Sequence, residues 1–234
     1  MMVGRELALL PINLKADMEI QNILFDLDGT LINSSRGIKY SIEKAFSSVL
    51  PDFTFSEIST SLIGPPVSEM FKQMVGNSYL HLIDDLTQEF RNNYDSEGWK
   101  QTDIYAGVIE TLVQLSLYNV KKFIVTNKPS QPTLRILDYF QMIDFFEEIV
   151  SPDTKNPSFT SKSAACQHLL TKYQLHEENT ILIGDSRDDS YAAKTCGFTF
   201  VAALYGYGKV HEYEMLNQSF TISRFSDLMA LIKN

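Results

Sequence analysis

Residues 23 to 31 read Ile23-Leu24-Phe25-Asp26-Leu27-Asp28-Gly29-Thr30-Leu31, an apolar run that closes on two acidic residues two apart and then on Gly and Thr. The pattern predicts a buried strand that delivers carboxylates to the edge of a sheet. Ile23, Leu24 and Phe25 suit a central strand of a parallel sheet covered on both faces, and open α/β sheets bind ligands beyond the carboxyl ends of such strands. Side chains alternate along a strand, so Asp26 and Asp28 leave on the same side before Gly29 turns the backbone. Two carboxylates about 4 Å apart repel by roughly 4 kcal/mol at an effective dielectric near 20, so a cation or a shared proton is expected beside them. A bare D-x-D-G is as readily a strand end with two solvated aspartates, and the rest of the chain has to decide. A calcium loop of the EF-hand type is excluded: it needs Gly at its sixth position and Glu at its twelfth, and counting from Asp26 these are Leu31 and Gly37.

With 234 residues the chain is long enough for one large domain or for one domain carrying a smaller insert. Acidic residues outnumber basic ones by 29 to 20, a formal charge of −9, and no Lys/Arg block stands against it. Neither nucleic acid nor an anionic membrane is an expected partner. Cys166 and Cys196 show no metal-ligand spacing and no C-x-x-C pattern, so buried reduced thiols in a cytoplasmic protein are expected. Residues 1–18 carry one short apolar patch, Leu7 to Ile12, broken by Pro11. They read as a leader, disordered or a misplaced start, and not as a signal peptide or membrane span.

Beyond the acidic turn, Ser34 or Ser35 can cap a helix that runs to about Leu50. From there to Lys100 apolar residues recur every three or four positions: Val67, Met70, Phe71 and Met74, then Leu82, Ile83, Leu86 and Phe90. Strands are expected at Lys121 to Asn127, Phe145 to Val150, Thr180 to Ile183, Phe198 to Leu204 and, at an edge, Phe220 to Ile222. Helices alternate with them, the last from Ser226 to Ile232, and a short helix is expected after the loop Tyr205 to Gly208. Such alternation predicts an α/β fold, a doubly wound parallel sheet of Rossmann-like form. Residues 19–35 and 106–234 are expected to form the α/β core domain, and residues 36–105 an inserted α-helical cap domain.

The expected strand ends carry Asp26 and Asp28, then Thr126 and Asn127, then Asp185 and Asp189, with Lys162 at the start of a helix. Three or more carboxylates do not stay ionised side by side without a hard cation, and Mg²⁺, which takes oxygen ligands and keeps waters, is the expected one. Magnesium with Lys162 turns an acidic pocket into a phosphate site, where positioning and charge neutralisation do most of the chemistry. An aspartate there can act as nucleophile. Singly, each feature has a plainer explanation: Thr126 a strand-end cap, Lys162 a solvated side chain with Lys155 as a competitor, G-D-x-x-x-D a helix N-cap. Their joint occurrence, in order, is what carries the reading.

In these motifs the chain resembles the haloacid dehalogenase superfamily, in its phosphoglycolate phosphatase-like branch, over nearly everything from Glu19 onward. D-x-D-G-T is Asp26 to Thr30, the second motif is Thr126 in V-T-N-K, the third is a Lys before a helix, here Lys162, and G-D-x-x-x-D is Gly184 to Asp189. Ile63-Gly-Pro-Pro-Val67 resembles a cap loop of this branch. The resemblance implies Asp26 as nucleophile and metal ligand, and Asp28 as general acid and base with its carbonyl on the metal. It further implies Thr126 and Asn127 at the phosphate, Lys162 as charge partner of nucleophile and phosphoryl group, and Asp185 and Asp189 on the metal, the latter directly or through Lys162. Two departures stand out: Asn33 where the family commonly has Asp, and no Lys-Pro pair in the third motif. The implied activity is Mg²⁺-dependent hydrolysis of a small phosphorylated metabolite, phosphoglycolate being the family's suggestion, by a monomer or homodimer. The Ile63 to Val67 loop and Arg36 or Lys39 are places where a second charge on the substrate could be read, solvated side chains being the plainer explanation of the latter two. A sugar phosphomutase, a metal-free 2-haloacid dehalogenase and a catalytically silent phosphate-binding protein are the rivals. Crowded Asp28 and Asp185 argue against the dehalogenase.

Overall fold

A computed structural model describes residues 19–54, 58–208 and 219–232; the expected leader and the short helix after Gly208 lie outside these residues. In chain order the described elements begin with β1 (Asn22–Phe25), β2 (Ile32–Asn33), α1 (Ser35–Val49), α2 (Val67–Val75) and α3 (Ile83–Ser96). There follow β3 (Asp103–Ile104), α4 (Val108–Leu115), β4 (Lys121–Val125), α5 (Ser130–Tyr139) and β5 (Glu148–Val150). The chain closes with α6 (Lys162–Tyr173), β6 (Thr180–Gly184), α7 (Arg187–Cys196), β7 (Thr199–Ala203), β8 (Ser219–Ile222) and α8 (Met229–Ile232).

Six of the strands form one parallel sheet in the order β5-β4-β1-β6-β7-β8. From β1 the chain moves outward through β4 to β5, then returns to the other side of β1 and moves outward again through β6, β7 and β8. This reversal beside β1 is the topological switch point at which α/β sheets bind ligands. All four residues of β1 are buried, and the alternation of its side chains divides the core. Ile23 and Phe25 join Ile124, Ile181, Ile183 and Val201 on one face, packed against α4, α5 and the tail. Leu24 joins Phe123, Val125, Leu182 and Phe200 on the other, against Ala165, Cys166 and Leu169 of α6 and Ala192, Ala193 and Cys196 of α7. The expected sheet, covered by helices on both sides, is the structure found.

Between β2 and β3 the helices build a hydrophobic core of their own from Ile42, Phe46, Phe71, Leu86 and Phe90. Its centre is aromatic: Phe46 stacks on Phe53 at 5.0 Å and meets Phe71 edge-on at 5.6 Å. The chain enters and leaves this helical cap through an antiparallel ribbon, with Ile32 opposite Ile104 and Asn33 opposite Asp103. Strands of two residues are too short to show an alternation, and the sequence reading has none there.

Three local expectations change. Of Phe145 to Val150 only Glu148–Val150 is strand; Ile143–Phe145 is a 3₁₀ turn, and Phe146 folds onto the sheet face against Phe25, 6.1 Å between ring centroids. The last helix opens as a 3₁₀ turn over Phe225–Leu228. Ser34 occupies the position before α1 but makes no side-chain cap; the Ser35 N–H is taken instead by Asn33 Oδ1 at 3.2 Å. No described helix is long and apolar enough to cross a membrane.

The aromatic centre of the cap gives a direct test. Phe71 is fully buried, so Phe71→Ala is expected to cost about 3–5 kcal/mol in urea unfolding. Hydrogen exchange should rise in residues 35–101 before it rises in β1.

Candidate active site

Asp26 follows β1, Thr126 follows β4 and Asp185 follows β6, so three neighbouring strands end level at one edge. The Asp26 N–H donates to the Ile183 carbonyl at 2.9 Å, and the Thr126 N–H to the Val150 carbonyl at 3.0 Å. Continuing the alternation of β1, Asp26 falls on the Leu24 face, the one that α6 and α7 cover. These helices bring the complement. Lys162, the first residue of α6 behind its Ser161 cap, donates to Asp26 Oδ1 at 2.7 Å and to Asp189 Oδ1 at 2.5 Å. Lys155, its competitor in the sequence, lies 5.9 Å from the Phe159 ring centroid.

Asp189 does two jobs. Its Oδ2 accepts the Ser186 N–H at 3.0 Å while Ser186 Oγ accepts the Asp189 N–H at 3.2 Å, a reciprocal cap at the start of α7. The plain explanation of G-D-x-x-x-D as a helix cap and the functional one therefore describe the same side chain. Carboxylate oxygens of Asp26, Asp185 and Asp189 all lie within 4.8 Å of one another, and all three residues are buried. Asp185 Oδ2 accepts the Tyr207 N–H at 2.5 Å. Space around that carboxylate is held open by glycine: a Cβ at Gly29, which has φ +85°, would lie 2.1 Å from Asp185 Oδ2, and one at Gly206 would lie 2.3 Å from Asp185 Cβ.

Charge within this cluster is unbalanced. Burial, reinforced by Asp189, pushes the Asp26 carboxyl well above its usual range against the pull of Lys162. The same two causes push Asp185 up to about 7. Burial alone would lower the Lys162 ammonium, but Asp189 and Asp26 outweigh it and hold it above its usual value. Each pair of like charges at such separations costs about 3 kcal/mol or more at an effective dielectric near 20. Three carboxylates against one ammonium, with oxygen the only donor type, are a donor set that fits a hard divalent cation.

Asp28 stands apart from the trio. Both of its carboxylate oxygens accept from Lys128 Nζ, at 3.0 and 3.1 Å, and Oδ1 also accepts from the Ser34 hydroxyl, which is why that hydroxyl does not cap α1. Lys128 is 8% exposed and lies 4.5 Å from the ring centroid of Tyr94 on α3. Burial opposes its charge, and the Asp28 carboxylate together with Tyr94 outweighs burial and raises its pKa. Sequence reasoning missed this residue. Its only signal was the Lys closing V-T-N-K, which nothing in the spacing ties to Asp28, 100 residues away. Thr126 Oγ1 accepts the Lys128 N–H at 3.1 Å. Asn127 Nδ2 donates to Asp188 Oδ2 at 2.7 Å and to the Gly64 carbonyl of the cap at 3.3 Å.

A cavity of about 930 Å³ opens between these strand ends and the cap. Asp26, Asp28, Thr126, Asn127, Lys128 and Lys162 line its floor, while the loop Ile63 to Val67 and Arg91 and Tyr94 of α3 line its other side. Arg36 and Lys39 do not border it; Arg36 is exposed and 3.8 Å from Asp103.

Comparison with known proteins extends this geometry. A family model described as haloacid dehalogenase-like hydrolase matches residues 23–203. A phosphoglycolate phosphatase of Photobacterium profundum is 31% identical over 221 residues, which cover 92% of the chain and 96% of that protein. A pyrophosphatase of Halalkalibacterium halodurans is 26% identical over 220 residues, 92% of the chain and 98% of that protein. Among solved structures, a haloacid dehalogenase-like hydrolase of Streptococcus pneumoniae superposes with a TM-score of 0.80 at 24% identity, over 91% of this chain and 98% of that one.

The charge imbalance predicts a stabilising response to metal. A divalent cation at 100 times its Kd should add about 2.7 kcal/mol of stability. The shift is read as a rise in Tm that chelator reverses and that Asp185→Asn removes. A Tm indifferent to divalent cations would show that the trio holds none.

Proposed function

The chain belongs to the haloacid dehalogenase-like hydrolase family, and from that premise we propose that it is a Mg²⁺-dependent phosphatase. It hydrolyses a small phosphomonoester, with phosphoglycolate the first candidate, through an aspartyl phosphate on Asp26. The observation that carries the reading is the buried contact of Lys162 with both Asp26 and Asp189, at the edge where Thr126 and Asp185 also end.

In the first step a carboxylate oxygen of Asp26 attacks phosphorus and the bond to the leaving oxygen breaks. Asp28 gives that oxygen its proton. In the second, water attacks the phosphorus of the aspartyl phosphate and Asp28 takes the proton of that water. Asp26 is regenerated and phosphate leaves. Lys162 fixes the nucleophile through Oδ1 and neutralises phosphoryl charge. Thr126 and Asn127 offer polar groups on the cavity floor. Asp26 and Asp185 would hold Mg²⁺ together with the Asp28 carbonyl; Asp189, whose two oxygens already serve Lys162 and Ser186, acts through Lys162. When bound, the ion supplies Lewis-acid neutralisation of phosphoryl oxygens. The cap above the cavity excludes bulk water during transfer and favours small substrates over protein-bound phosphate.

Phosphate release from a panel of small phosphomonoesters, phosphoglycolate and nucleoside monophosphates included, tests the reading. Asp26→Asn should abolish turnover with the fold intact, and Asp28→Asn should lower kcat by about 10²–10⁴-fold. Normal turnover in Asp26→Asn removes it as the nucleophile, and full activity in excess chelator removes the cation.

A further inference from the structure

Asp84, Thr87, Gln88, Arg91, Tyr94 and Asp95, all of α3, border the cavity. They recur three or four residues apart and so form one stripe along the helix. Ile83 and Leu86, off that stripe, belong to the hydrophobic core of the cap, and their packing fixes the direction in which the stripe faces. The core end of α3 is held twice: Lys128 Nζ lies 4.5 Å from the Tyr94 ring centroid, and Arg135 Nη1 of α5 donates to the Asp95 carbonyl at 2.6 Å. Arg91 stands three residues back from Tyr94, about 4.5 Å along the helix axis. Among the described residues, the cationic side chains that border the cavity are Lys128, Lys162 and Arg91. Lys162 is taken by Asp26 and Asp189, and Lys128 by Asp28. Arg91 is exposed to the cavity and forms no ion pair with any described residue.

We propose that Arg91 is a specificity-determining residue that binds a carboxylate on the substrate, so that the substrate is a short phosphorylated carboxylic acid. The inference deepens the phosphatase reading and rests on it. With the phosphoryl group on the floor beside Lys162, the rest of a small substrate extends along the stripe, and Arg91 is the stripe's single cation. A guanidinium presents a planar fork of N–H donors that matches the two oxygens of a carboxylate. The acids on the same stripe narrow the choice of anion. Asp95 lies four residues to one side of Arg91 and Asp84 seven to the other, and both repel negative charge. One fork between two carboxylates suits a single negative charge better than a second phosphate, which carries nearly two. Asp84, about 10 Å further along the axis, disfavours an anion placed at a greater distance from the floor. Arg36 and Lys39, away from the cavity, have no part in this.

The test compares phosphoglycolate with its amide, which has the same shape and lacks the second charge. The wild-type chain should prefer the acid about tenfold or more in kcat/KM. A charge-assisted hydrogen bond of the usual strength corresponds to about ten- to a hundredfold in affinity. Arg91→Gln should therefore lower kcat/KM for phosphoglycolate by that factor, chiefly through KM, and change the amide much less, so that the preference disappears. Arg91→Lys, which keeps the charge without the fork, should retain part of it. Circular dichroism and the Tm response to Mg²⁺ monitor the fold, and if Arg91→Gln does not fold, the preference in the wild type and in Arg91→Lys decides. Equal losses on acid and amide in Arg91→Gln, or a wild-type chain without preference for the acid, overturn the proposal while the phosphatase reading stands. So does phosphate release from p-nitrophenyl phosphate with none from phosphoglycolate. Release from none of the three overturns the phosphatase reading and the proposal with it.

Discussion

Buried charge at the end of β1 constrains everything around it. Asp26, Asp185 and Asp189 are withdrawn from water within a few ångströms of one another, with Lys162 the ammonium among them. Taking carboxylates out of water costs several kcal/mol each unless charge and hydrogen bonds compensate. The fold meets that cost from several directions. α6 brings the lysine, α7 brings an aspartate already committed to its own cap, and the backbone of Tyr207 donates to Asp185. Gly29 and Gly206 keep side chains out of the space that the Asp185 carboxylate occupies. What is left over is a set of closely spaced carboxylate oxygens, with Asp26 at the wall of the cavity.

The two aspartates of the opening motif, two residues apart, live in separate electrostatic neighbourhoods. Asp26 faces the interior and answers to α6 and α7. Asp28 lies at the start of the turn that leads to the cap, where Ser34 and Lys128 hold it. The division matches the two roles proposed for them, nucleophile for Asp26 and proton carrier for Asp28. Tyr207 links the neighbourhoods: its backbone binds Asp185, while its hydroxyl accepts the Ser34 N–H at 2.8 Å and donates to Asn33 at 3.2 Å.

Much of this was legible in the chain because strands with two buried faces leave a clear record. Runs such as Ile23 to Phe25 and Ile181 to Ile183 are apolar without interruption, and each leads to an aspartate, Asp26 directly and Asp185 after Gly184. The parallel sheet, the helical insert and the convergence of Asp26, Thr126 and Asp185 follow from that punctuation. What stayed hidden depends on contacts between distant segments. Lys128 looks like any lysine after a strand until Tyr94, from another body of helices, comes to lie over it. Ser34 reads as a cap because local spacing says so, and only the fold shows its hydroxyl turned to Asp28. Arg36 and Lys39 carry suitable charge on a helix whose rotation takes them away from the cavity. Rotation of that kind is set by packing between helices, here the aromatic cluster of Phe46, Phe71 and Phe90, and no motif records it.

The ribbon of β2 and β3 brings the outgoing and returning chain side by side, Ile32 opposite Ile104. The chain between those two points leaves and rejoins the core at this ribbon, and the six-stranded sheet beneath is continuous without it. A junction of this form makes the upper body exchangeable: a helical piece of different length or shape can be spliced at the same two positions without displacing β1 or its acidic turn. Changes in the helices are thereby kept out of the register of β1 with its neighbours, but not out of the cavity floor, where Asn127 and Lys128 touch Gly64 and Tyr94 of the cap.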